Sequence, residues 1–192
     1  VNAIRQAAIQ LLAQRGLTGF TAARVAERAG VSIGSYYQYF PNKESLLADL
    51  LQEYAGGLAG RMEQTLAAGV AELEAGVTPQ DSIRRVAREL VEAKRERARL
   101  SMALRAVLPG LKTPAAVRRM FANTRAALER YVTRLLPRAS AADVQRCSAV
   151  LFAAAEGVLT YAVDEAPEAL TDPAFAECLA GLLAGAIQQW EA

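Results

Sequence analysis

"AGVSIGSYYQYFPNKESL", residues 29–46, decides how this chain is read. Three of its six tyrosines, Tyr36, Tyr37 and Tyr39, fall within four residues there. Just upstream, Thr21 is placed to cap a short helix of about residues 22–29, with Val25, Ala26 and Ala29 facing inward. Gly30 permits the backbone that ends this helix, Val31 plugs the angle that follows, and Ser32 caps another short helix running to about Tyr39. Pro41 then breaks the chain, and a long helix begins at Pro41 or Asn42. Two short helices joined by "AGVS" have the spacing of a helix-turn-helix, whose second helix enters the DNA major groove while the first braces across the backbone.

On a helix, positions 36, 37 and 39 fan around most of the circumference, so the three tyrosines cannot all be core. Some of the hydroxyls must reach solvent or a partner, and phenolic hydroxyls suit phosphate oxygens. Lys43 in a first helical turn opposes the helix dipole, a local penalty that makes sense if an anion binds where free N–H groups and the ammonium converge. Gly34 weakens its short helix by about 1 kcal/mol relative to alanine, which fits a position where DNA approaches the backbone. Each sign has an ordinary reading on its own, since tyrosine clusters pack and first-turn lysines are solvated. Together, behind a turn of this spacing, they are far more specific.

Charge agrees. The chain carries +2 over 192 residues. Residues 1–45 hold Arg5, Arg15, Arg24, Arg28 and Lys43 against Glu27 and Glu44, a surplus of three positive charges, and the remainder is slightly acidic. A basic front end suits an anionic partner. There is no histidine, so the commonest general base and metal ligand are missing. Two cysteines, Cys147 and Cys178, cannot fill a structural zinc site, and they read as small buried apolar residues rather than a disulfide. No metal, no cofactor and no catalytic constellation are expected. No apolar run approaches the length that spans a bilayer and no signal-peptide pattern opens the chain, which points to a soluble, cytoplasmic protein without a membrane partner.

The fold class expected is all-α. Hydrophobic residues make up 53% of the chain, and they recur three and four apart almost throughout. About nine helices are expected, three of them short and at the front. The first runs over about 2–15, with Ile4, Ala8, Leu11 and Leu12 inward and Gly16 at its end. The fourth carries Leu47, Leu50, Leu51, Tyr54, Leu58 and Met62 on one stripe. Thr78-Pro79 opens a helix to about Leu108, in which "KRERAR" (94–99) marks an exposed face or a break. Thr113-Pro114 opens another, stopped by Pro137. Ser140 with Asp143 has the form of a capping box for a helix to about Val163. The loop "DEAPEALTD" follows, and Pro173 starts a last helix ending near Trp190.

The stretch "FTAARVAERAGVSIGSYYQYFPNKESLLADL" (20–50) closely resembles the DNA-binding region of the tetracycline-repressor (TetR) family of bacterial transcriptional regulators. The matching signs are Thr21, "VAERAGVS", a glycine and small hydroxyl residue after it, the Tyr37–Tyr39–Phe40 pattern, and Lys43 with Leu46. The resemblance implies an N-terminal helix-turn-helix head (1–45) and a C-terminal helical effector-binding and dimerisation domain (46–192). It implies a homodimeric regulator, usually a repressor, released from double-stranded operator DNA by a small molecule, with the long fourth helix as the lever. Carried over by position, Thr21, Ser35, Tyr37, Tyr39 and Lys43 would contact phosphates. Ile33, Gly34 and Tyr36 would face the bases, Ala23 and Arg24 on the second helix would reach the groove edge, and Ser32 counts among the DNA-binding residues. Phe40 would be structural. Tyrosine at 39 stands where the family often has histidine, which keeps a donor and removes a pH-dependent charge. The family often carries a basic N-terminal arm, so a chain starting at Val1 is expected to have such an arm trimmed or disordered.

For the dimer, the last two helices offer apolar stripes through Leu151, Ala155 and Leu159 and through Leu179, Leu183 and Trp190. The same stripes also suit an intrachain core. An effector pocket is expected among helices from Pro79 to Val163, with Met102, Arg105, Met120, Phe121, Arg125, Phe152 and Glu156 as candidates. Two rival readings remain: an architectural DNA binder without an effector, which the modest charge disfavours, and a helical enzyme, which the lack of a catalytic grouping disfavours.

Overall fold

A computed structural model describes residues 1–105 and 115–190, apart from the side chains of Arg99, Ala103, Arg105 and Ala116. The described residues form eight α-helices and one 3-10 helix, with no strand. In chain order they are α1 (Asn2–Arg15), α2 (Ala22–Ala29), α3 (Ile33–Tyr39), α4 (Lys43–Glu74), α5 (Pro79–Arg105), α6 (Ala115–Leu135), α7 (Ala141–Glu165), the 3-10 helix (Pro167–Thr171) and α8 (Pro173–Gln188).

The helix ends follow local chemistry. Thr78 Oγ1 accepts the Asp81 N–H and donates to the Asp81 carboxylate, and Ser140 does the same with Asp143. Each pairing satisfies an orphan donor of the first turn. Asp172 caps α8, with Pro173 at its first position. Gly30, at φ 67°, ends α2 in the left-handed region. There the N–H groups of Gly30 and Val31 donate to the carbonyls of Glu27 and Ala26, the doubly bonded ending that glycine favours.

The chain forms two compact units that cut across helices. The first contains residues 1–56 and 97–118, the second 57–96 and 119–192. The functional boundary expected at 45/46 is a different division. In the first unit, Ile4, Ala8, Leu11 and Leu12 of α1 are buried with Phe20, Val25, Ala26, Phe40, Leu46, Leu47 and Leu50. Each such large apolar side chain contributes about 1.5–3 kcal/mol by leaving water. A bidentate pair fastens α1 to α4: Arg5 donates to both Asp49 oxygens, at 2.7 and 2.8 Å. The carboxylate pushes the Arg5 guanidinium above its usual range.

In the second unit, Tyr131 of α6 is buried and its hydroxyl lies 2.9 Å from Ser82 Oγ of α5. Gly69 of α4 makes room for the ring, since a Cβ there would lie 2.7 Å from Tyr131 Cε2. Burial pushes the Tyr131 hydroxyl up to about 12 against the opposing pull of the Ser82 bond.

Several expectations are corrected. The run 94–99 does not break α5, and its first residue, Lys94, is buried. The segment taken as a loop before Pro173 contains the 3-10 helix. Cys147 is buried and Cys178 is exposed. One helix, α7, is long and apolar enough to cross a membrane by length and composition, with mean hydropathy 1.4. Its residues explain this differently. Val144, Cys147, Leu151, Leu159, Ala162 and Val163 are buried within the unit, while Val150 and Tyr161 lie on a second, exposed apolar face. Two apolar faces on one core helix raise its mean hydropathy.

Candidate nucleic-acid interface and effector cavity

The helix-turn-helix is built by its caps. Thr21 Oγ1 accepts the Arg24 N–H at 3.4 Å, and Ser32 Oγ accepts the Ser35 N–H at 3.0 Å. The hydroxyls of Ser32 and Ser35 also lie 2.9 Å apart. The Arg24 guanidinium donates to the Gly19 carbonyl at 3.3 Å, which draws it toward the preceding loop. Ala23 is exposed beside it.

The three tyrosines separate sharply. Tyr37 and Tyr39 are 51% and 56% exposed, whereas Tyr36 is fully buried. The expectation that Tyr36 faces the bases is therefore corrected. It stands four residues before Phe40, and this i, i+4 pair forms the inward side of α3 with ring centroids 6.1 Å apart. That spacing is the signal in the sequence. Among the described residues its hydroxyl has no hydrogen-bond partner, and burial raises its pKa. Ile33, Gly34, Tyr37 and Gln38 are exposed, and their i, i+1, i+4, i+5 spacing puts them on one side of the helix. Gln38 is thus a candidate for the groove that sequence reasoning passed over.

An added Cβ at Gly34 would meet nothing nearer than Ser32 Oγ at 3.7 Å, an ordinary contact. Packing within the chain does not demand glycine there. At the start of α4, Asn42 Oδ1 accepts the Ser45 N–H at 2.7 Å. Lys43 is exposed, and its ammonium lies 4.0 Å from the Glu44 carboxylate.

The second unit holds an apolar cleft. It is lined by α4, α5, α6, α7 and α8. Of the seven candidate residues, Phe121, Phe152 and Glu156 line it. Met120 and Arg125 do not line it, and Met102 is exposed and belongs to the first unit. The Arg105 side chain lies outside the described residues. Sequence reasoning missed Lys94, hidden at the head of a charge run. Its side chain is only 4% exposed, and Nζ donates to Glu156 Oε1 at 2.9 Å.

The apolar stripes offered for a dimer are mostly intrachain core. Leu151, Leu159, Leu179 and Leu183 are buried, and Ala155 and Trp190 are half-buried. Leu151, Ala155, Leu159 and Leu183 line the cleft itself. The exposed apolar residues lie one step around each helix: Val150, Ala153, Gly157 and Tyr161 on α7, and Cys178, Gly181, Leu182 and Gly185 on α8.

Two stretches of the chain match known family models. Residues 4–50 match the family model described as bacterial regulatory proteins, tetR family. Residues 78–185 match the model of a tetracyclin repressor-like C-terminal domain. The chain is similar to the HTH-type transcriptional repressor KstR2 of Rhodococcus jostii (strain RHA1), 38% identical over 74 residues, 37% of this chain and 36% of that protein. It is also similar to the fatty acid metabolism regulator protein of Bacillus subtilis (strain 168), 36% identical over 63 residues, 33% of this chain and 32% of that protein. These matches span about a third of each relative's length. Among solved structures, it shares its fold with the TetR family transcriptional regulator PfmR from Thermus thermophilus (TM-score 0.68, 14% identity, covering 96% of this chain and 93% of that one). It also shares its fold with FadR from Bacillus subtilis, solved with stearoyl-CoA (TM-score 0.70, 20% identity, covering 95% and 96%).

Proposed function

The chain belongs to the tetR family of bacterial regulatory proteins, and we propose that it acts in the cytoplasm as a homodimeric repressor that leaves its operator when a small molecule enters the second unit. The observation that carries the DNA-binding part is the division of the tyrosines. The inward side holds Tyr36 and Phe40, while α3 turns outward Ile33, Gly34, Tyr37 and Gln38, a side that pairs an exposed phenol with a glycine for which packing among the described residues shows no need. In this reading Thr21, Ser35, Tyr37, Tyr39 and Lys43 hold phosphates and set the register. Ser32 aligns Ser35, and Ala23 and Arg24 lie at the groove edge. Ile33 meets a thymine methyl, and Gln38 takes the base-facing place first given to Tyr36, since an amide can pair with adenine.

The exposed faces of α7 and α8 are the dimer surface in this reading. Small residues at 153, 157, 181 and 185 let helices approach closely, with Tyr161 and Leu182 as the bulky contacts. An isologous pairing of this kind would set two reading heads one helical turn apart, about 34–36 Å. The cleft serves as the effector site of the C-terminal region (46–192). Its ligand acts by binding unequally to the operator-competent and operator-incompetent conformations. Both α4 and α5 contribute residues to both units, which supports coupling through continuous helices.

The test is a variant carrying Tyr37→Phe, Tyr39→Phe and Lys43→Met. Charge-assisted hydrogen bonds are worth about 1.5–3 kcal/mol each, so operator affinity should fall at least about 100-fold while helical content stays unchanged. Removing the one lysine should reduce the salt slope by about one. Undiminished binding would overturn the reading.

A further inference from the structure

We infer that the cleft of the second unit takes a monoanionic amphiphile, whose carboxylate head replaces Glu156 at Lys94 while its hydrocarbon body lies along α5. The inference rests on the ligand-responsive reading above and names its ligand class.

The polar inventory of the cleft is short. Apart from Lys94 and Glu156, its lining offers two hydroxyls, Thr124 and Tyr131. Thr124 donates to the Met120 carbonyl of its own helix at 3.1 Å, and Tyr131 is paired with Ser82. The rest of the lining is aliphatic or aromatic. Orientation of a ligand therefore falls to the Lys94–Glu156 pair.

That pair is unequal. Lys94 is held in the interior, and among the described residues its one hydrogen bond goes to Glu156. An ammonium has three donors, and removing one from water is costly unless carboxylates surround it. Glu156, by contrast, has a side chain 48% exposed and also accepts the Thr160 hydroxyl, at 3.2 Å. Both bonds end on the same oxygen, Oε1, and the half-exposed carboxylate can exchange them for water when another anion takes its place. Glu156 is thus the placeholder, and Lys94 is the fixed group that selects an incoming anion.

Position defines the rest of the ligand. Ile83, Val86, Leu90 and Lys94 recur at helical spacing along the cleft wall. They cover eleven residues of rise, about 16 Å, with the amine at one end. A head at Lys94 therefore sends its body past Leu90 and Val86 toward Ile83. One buried ammonium matches one negative charge. A neutral head would leave the ion pair in place and gain nothing from it, and a cationic head could not take the place of Glu156 at the Lys94 ammonium.

The test is calorimetric titration of the full chain at neutral pH with dodecanoate, dodecanol, dodecylamine and dodecanoyl-CoA, each below its micelle concentration. Dodecanoate should bind at least about 10-fold more tightly than dodecanol, as expected for one charge-assisted contact. Glu156→Gln should tighten dodecanoate binding several-fold by removing the competing carboxylate, and should leave dodecanol unchanged. Lys94→Met should bring dodecanoate down to the level of dodecanol. The wild-type preference and the Glu156→Gln result stand even where Lys94→Met fails to fold. The inference is overturned if dodecanol matches dodecanoate, if Glu156→Gln weakens dodecanoate binding, or if dodecanoyl-CoA binds more tightly than the free acid. No DNA is present, so the two readings fail separately. Carboxylate-selective binding without operator release would count against the repressor mechanism alone.

Discussion

The rings of Tyr36 and Tyr37, neighbours in sequence, stand perpendicular with centroids 5.3 Å apart, one buried and the other half exposed. The edge-to-face contact lets a core ring brace a surface ring. The two hydroxyls therefore have opposite expected effects. The Tyr36 hydroxyl is buried without a partner among the described residues, a condition that costs about 1–3 kcal/mol. Tyr36→Phe should leave stability unchanged or raise it, with operator affinity unaltered. Tyr37→Phe should leave the melting temperature unchanged and weaken operator binding about 10-fold. Thermal melts and DNA titrations of the two variants check this directly.

Gly34 opposes stability and function in the same way. With space for a Cβ and no left-handed backbone demanded, Gly34→Ala should stabilise α3 by up to about 1 kcal/mol. The same methyl group would stand between the helix and DNA, so operator affinity should fall. A gain in melting temperature together with lost binding is the expected signature. Unchanged binding would mean that DNA does not approach the backbone there.

Much of the head was legible in the sequence because its signals are local. Thr21, Gly30 and Ser32 act within three residues of themselves, and each does what its position in the chain implies. Tyr36 faces the bases only by its position in the family resemblance, whereas its i, i+4 spacing to Phe40 puts it on the inward side. The back of the chain was legible as helices but not as faces. On α7, Leu151 and Leu159 go to the interior while Val150 and Tyr161 stay outside. A helix apolar all round carries no periodic signal to tell those sides apart. Lys94 was hidden for a related reason. It opens a run of charges, and only packing by distant helices decides which member of such a run is buried.

The exposed sides of α7 and α8 give a sharp contrast. Tyr161→Glu with Leu182→Glu, residues 65% and 48% exposed, should yield a monomer at micromolar concentration with native helical content. Like charges would then face each other across a two-fold contact. Leu179→Ala, in the buried stripe, should instead destabilise the chain by about 2–5 kcal/mol. Analytical ultracentrifugation and thermal melts separate the two effects. A dimer that survives both glutamates would place the interface elsewhere.

Tyr131 predicts an alkaline limit to stability. Burial holds its pKa at about 12 in the folded chain, against about 10 when unfolded. Below pH 10 both states keep the proton and the full stability is present. As pH rises from 10 toward 12 the unfolded chain releases a proton that the folded chain retains, so stability falls, by up to about 2–3 kcal/mol. Tyr131→Phe should remove this part of the alkaline loss, at the expense of the Ser82 bond at neutral pH. Denaturant midpoints at several pH values above 9 measure it.

The most direct measurement is fluorescence anisotropy of the chain against DNA flanking its own gene, with scrambled competitor, at several salt concentrations. The expected result is a preference of roughly 10³-fold or more for one near-palindromic site, with affinity falling steeply as salt rises. Equal affinity for operator and scrambled DNA, or no binding at all, would contradict a sequence-specific regulator.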